Sequence, residues 1–91
     1  MPIVRVPSPL RRLTDGRAEV AVPGPDVRSV IANLDAVHPG IAERLLDAEG
    51  GLHGFVHVFV RDEDVRSGAG LDTLVGADDT VSVVPAVAGG V

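Results

Sequence analysis

The chain has 91 residues, room for one domain with a modest core. Thirteen Asp and Glu against eight Lys and Arg give a formal net charge of −5, which argues against phosphate-facing nucleic-acid binding and suits either plain solubility or a basic partner surface. Cysteine is absent, so disulfides, thiolate metal sites and a thiol nucleophile are excluded.

In chain order, Ile3 to Val6 reads as a short strand, limited by Pro7 and Pro9, which cannot donate to a ladder. Thr14-Asp15-Gly16 is a turn signal, so Leu10 to Arg17 reads as a long turn. Ala18-Glu19-Val20-Ala21-Val22 alternates and reads as the second strand of a hairpin. Pro23-Gly24-Pro25 breaks it, and a helix is predicted to open at Pro25 and Asp26. Val27, Val30, Ile31 and Leu34 then form one apolar stripe. His38-Pro39-Gly40 ends that helix, and Ile41 to Leu46 reads as a short second one, with Ile41, Leu45 and Leu46 on one side.

Glu49-Gly50-Gly51 is a loop, and Phe55-Val56-His57-Val58-Phe59-Val60 is the strongest strand signal in the chain. Arg61 to Val65 reads as a charged turn, Ser67 to Gly70 as a loop, Leu71 to Leu74 as a short undecided element and Gly76 to Asp79 as a turn. Thr80 to Val84 is the last strand, stopped by Pro85. The expected organisation is a domain over residues 1–85 and a mobile tail over 86–91. A helix set between strand pairs predicts an α+β fold of two layers, a mixed sheet with one main helix on one face; the β-grasp arrangement fits.

With Phe55 and Phe59 as the sole aromatics, the core must come from Val, Leu, Ile and Ala. Alternation places Val4, Val6, Val20, Val22, Val56, Val58, Val60, Val81 and Val83 against the helix. Phe59, His57 and Val84 are then left on the open face as a candidate docking patch, with Phe55 assigned to packing under a loop. No apolar run approaches membrane-spanning length and the N-terminus lacks a signal-peptide layout, so a cytoplasmic protein is expected.

Catalytic constellations are missing. His53 and His57 have no evident third ligand beside them. Asp62, Glu63 and Asp64 crowd a turn too short for a Ca²⁺ loop. Ser8, Ser29, Ser67 and Ser82 lack a nucleophile elbow, and Ser67-Gly68-Ala69-Gly70 lacks the Lys of a phosphate loop.

The strand Phe55 to Val60 running into Asp62-Glu63-Asp64-Val65-Arg66, the turn with Asp79, the strand Val81 to Pro85, and the ending Pro85-Ala86-Val87-Ala88-Gly89-Gly90 resemble the MoaD/ThiS family of ubiquitin-like sulfur carriers, most closely its CysO branch. The resemblance extends to the hairpin, the helix and Gly40-Ile41-Ala42-Glu43-Arg44-Leu45, nearly the whole chain. It implies a carrier and not an enzyme, with no cofactor of its own. An E1-like adenylating and sulfur-transferring enzyme would spend ATP to activate the Gly90 carboxylate, and a thiocarboxylate would then form there. Ala86, Val87, Ala88 and Gly89 would thread the partner's active site, where glycine permits close backbone approach. A sulfur-accepting synthase would be the second partner; no nucleic acid or membrane is implied. For the CysO branch the destination would be cysteine biosynthesis through a synthase using O-phosphoserine; thiamine, molybdopterin and secondary metabolites are the other destinations within the family. Two departures stand out. Val91 follows Gly90: either it is removed, the reading favoured here, with a JAMM-type zinc peptidase as the agent, or it is foreign to the natural chain, or this copy is inactive. Asp78 stands where the family usually has Gly. Outside sulfur chemistry, the rivals are a ubiquitin-fold interaction module and a modifier conjugated to lysines through Gly90.

Overall fold

The computed structural model describes residues 1–54 and 56–85. The first strand, β1 (Ile3–Arg5), pairs antiparallel with β2 (Glu19–Ala21). Between them the chain is not a plain turn as predicted. Ser8–Thr14 winds into a 3₁₀ helix, entered through Pro7 and Pro9 and closed by Asp15 in the left-handed region. Prolines set φ for a first helical turn as readily as they interrupt a strand.

The main helix, α1 (Val27–Val37), starts where Asp26 accepts a hydrogen bond from the Ser29 amide at 2.8 Å. Its predicted stripe Val27, Val30, Ile31 and Leu34 is buried. It ends at His38, and the Asp35 carboxylate accepts from the Gly40 and Ala42 amides, which caps the start of α2 (Ile41–Leu45). Ile41 and Leu45 are buried; Leu46 packs against the core half-buried.

The third strand, β3 (Val56–Val60), turns at Arg61 and Asp62, both at positive φ, into the two-residue strand β4 (Glu63–Asp64). The charged turn expected over Arg61 to Val65 is therefore a tight hairpin. Short 3₁₀ turns at Val65–Ser67 and Gly70–Asp72 lead to Leu74, which bridges to Asp26. The last strand, β5 (Thr80–Pro85), runs one residue further than expected and includes Pro85. Pro85 faces Val56 at the strand's end, where a missing donor costs least.

The sheet order is β2-β1-β5-β3-β4, with β1 and β5 parallel and the other pairs antiparallel. With α1 across one face, this is the β-grasp arrangement. All nine valines assigned to the covered face are buried. Phe55 lies outside the described residues, as do Ala86, Val87, Ala88, Gly89, Gly90 and Val91.

Candidate docking face and C-terminal exit

β5 is the central strand, held by β1 over Thr80 to Ser82 and by β3 over Val81 to Pro85, which fixes the position of Pro85, the last described residue. Its alternation buries Val81 and Val83 and turns Ser82 and Val84 to the open face. Val84 is 43% exposed. His57 stands directly opposite Val84 on β3, and Phe59, half-buried, stands between Ser82 on β5 and Asp64 on β4. The three residues expected on the open face thus share it, with Val84 and His57 nearest the exit.

The face is more polar than the sequence reading made it. Arg5 lies opposite Ser82 on one side and Glu19 on the other, and its guanidinium stands 3.9 Å from the Glu19 carboxylate. A pair this long and this exposed contributes little. Ile3 also sits on this face, 37% exposed. Ile3 and Arg5 flank buried Val4, and the Ile-Val-Arg alternation carries that signal in plain view.

Asp64 organises the β4 edge. Its Oδ1 accepts from the Arg66 amide at 2.9 Å, and its Oδ2 lies 3.2 Å from His57 Nδ1. The Arg66 amide, aided by His57, holds the Asp64 carboxyl below its ordinary value, with partial desolvation opposing. For His57 to donate here, Nδ1 must carry the proton, which leaves Nε2 for solvent or a partner. Arg66 also donates to the His53 carbonyl, which ties the β4 side to the loop before β3. His53 and His57 converge on no metal site: among the described residues no group of three His, Cys, Asp or Glu could hold one. Nor is any described helix long and apolar enough to cross a membrane.

At the opposite end of β5, Asp79 accepts from the Gly76 amide at 2.7 Å and pairs with the Arg61 guanidinium. Asp78, the departure from the family's glycine, is exposed at negative φ, so its position makes no demand for glycine.

The ThiS family matches residues 4–90, from β1 through the Gly89-Gly90 pair. The chain belongs to the ThiS family. It is 45% identical over 89 residues to sulfur carrier protein CysO of Mycobacterium tuberculosis strain H37Rv, covering 96% of each. It is 36% identical over 87 residues to a putative sulfur carrier protein of Archaeoglobus fulgidus, again covering 96% of each. The crystal structure of M. tuberculosis CysO has a TM-score of 0.92 at 42% identity, covering 96% of this chain and 100% of that one. A chain of the Amycolatopsis orientalis BexX/CysO complex also has a TM-score of 0.92, at 39% identity, covering 96% and 97%. This ThiS-family chain is a ubiquitin-like sulfur-carrier protein and not itself a catalyst.

Proposed function

We propose that the Gly90 carboxylate of this carrier is the group that is activated and loaded. Its oxygen attacks the α-phosphorus of ATP in an E1-like enzyme, and pyrophosphate leaves. A sulfide-level sulfur nucleophile then attacks the acyl carbon, AMP departs, and a thiocarboxylate remains on Gly90. The adenylate converts a poor electrophile into a good one, so the carrier itself needs no acid or base. The observation that carries this reading is where the ThiS match stops. It runs through the Gly89-Gly90 pair. Removal of Val91, by a JAMM-type zinc peptidase, then frees the carboxylate. The identity with CysO supports cysteine biosynthesis as the sulfur's destination, through a synthase that takes O-phosphoserine.

Phe59, His57 and Val84 hold the globule outside the partner's channel while Ala86 to Gly89 thread it. A β-carbon on Gly90 would obstruct the closest approach. Intact-mass spectrometry of the protein purified from its own host tests the reading. The expected result is a species ending at Gly90, with a fraction heavier by the difference between one sulfur and one oxygen. A single species retaining Val91, unchanged beside the activating enzyme and ATP, overturns it in favour of a plain ubiquitin-fold interaction module.

A further inference from the structure

The chain is acidic as a whole, but its charge is unevenly placed. Residues 5–19 carry four arginines against two carboxylates, a net +2; the other four arginines meet eleven carboxylates, a net −7. The basic segment follows β1, which runs parallel to β5, and so emerges beside the end of β5 where the chain leaves the sheet. There Arg5, Pro7, Arg11, Ser82 and Val84 line an open groove on the sheet's solvent face, with Glu19 as its one carboxylate. Arg11 Nε donates to the Val6 carbonyl at 3.0 Å, which fixes the guanidinium at the groove. Among the described residues, no carboxylate lies within 4.0 Å of Arg11, and the only one so near Arg5 is Glu19, at 3.9 Å. Some carboxylates elsewhere are engaged locally: Asp47 with the Glu49 and Gly51 amides, Asp79 with Arg61. At the far end of the same face, Asp62 and Asp78 stand exposed.

We infer that the groove between Arg5 and Arg11 receives a carboxylate side chain from the rim of the activating enzyme's channel, with Val84 covered by an apolar neighbour of that carboxylate. The inference rests on the reading that this carrier docks on such an enzyme. Its partner surface is acidic at the exit, the reverse of what the net charge of −5 suggests. The two guanidiniums offer planar N–H donors suited to carboxylate, and like charge at the far end disfavours a reversed approach. The exit is thereby steered toward the channel mouth during diffusional encounter.

The test is surface plasmon resonance of the full chain over the host's immobilised E1-like adenylating enzyme, at low and high ionic strength. R5E and R11Q are compared with R28E, a control on α1 whose exposed ion pair with Asp72 lies on the covered side of the sheet. At low ionic strength R5E is expected to lower the association rate about tenfold and R11Q about threefold, with the difference from the unsubstituted chain shrinking to within about twofold at high salt. R28E should stay within about twofold throughout. Unchanged association for both R5E and R11Q overturns the inference, and so does a loss in R28E equal to that in R5E. Failure of the unsubstituted chain to bind removes the docking reading itself and this inference with it.

Discussion

Inside the 3₁₀ arm, the fully buried hydroxyl of Thr14 lies 2.9 Å from the Arg17 carbonyl and 3.2 Å from that of Arg11. The Arg11 carbonyl also accepts from the Gly16 amide at 2.7 Å, so the Arg17 carbonyl is the acceptor that a methyl would leave short of a donor. Thr14→Val keeps the shape and should cost about 1–3 kcal/mol in denaturant unfolding; an unchanged midpoint would mean that water reaches the Arg17 carbonyl. Asp62 presents the opposite case. It occupies the left-handed region in the tight β3–β4 turn, at φ 66°, where glycine is favoured. Asp62→Gly should raise stability by about 0.5–1 kcal/mol, because relief of backbone strain outweighs the added unfolded-state freedom. A lower melting temperature would show that the aspartate side chain contributes more than its backbone costs. At Asp26 the Ser29 amide lowers the carboxyl below its ordinary 3.8. A group depressed in the fold stabilises it fully above the unfolded value and loses that contribution as pH falls through the folded one. Asp26→Ala should therefore lower Tm by a few degrees at neutral pH, and the gap should close below about pH 3.8. A gap constant across that range would mean that the cap acts through something other than charge.

Among the elements, α1 carries its own explanation. Its four buried positions recur at helical spacing behind an Asp cap, so the sequence predicts both its start and its inward face. Leu34 is completely buried, and Leu34→Ala should cost about 2–5 kcal/mol, read from the urea midpoint. The strands were equally legible where valines alternate, and all nine assigned to the core are there. Two elements and one capping contact escaped for physical reasons. The 3₁₀ helix after β1 has no apolar period, and its prolines read as strand breakers. β4 has two residues, too few to show alternation. The Asp35 carboxylate that caps α2 sits within α1, and only the folded corner brings it to the Gly40 and Ala42 amides. Gly24 illustrates a different limit. It reads as a simple break between two prolines, yet a Cβ there would stand 2.8 Å from the Val30 backbone nitrogen. Gly24→Ala should thus destabilise by about 1–3 kcal/mol, more than an ordinary loop substitution, since backbone must move. A melting curve matching the parent's would show that the β2–α1 corner yields easily.

For the whole molecule, the order of elements was enough to specify a helix over a mixed sheet, because few topologies bury one helical stripe and nine valines together. The open face was only partly legible: Phe59, His57 and Val84 follow from alternation, as do Ile3 and Arg5 around buried Val4, whereas Asp64 joins them only through cross-strand register. The parallel pairing of β1 with β5 has a further, mechanical consequence. The chain enters β1 at one end of the sheet and leaves β5 at the other. Tension applied between the N-terminus and the exit at Pro85 would act along the strands, loading the β1–β5 ladder in shear so that its hydrogen bonds share the force, where a hairpin would unzip one bond at a time. β5 is also gripped along its other edge by β3 over five register pairs. A globule built this way can be pulled by its C-terminal end against a partner's surface without surrendering its last strand.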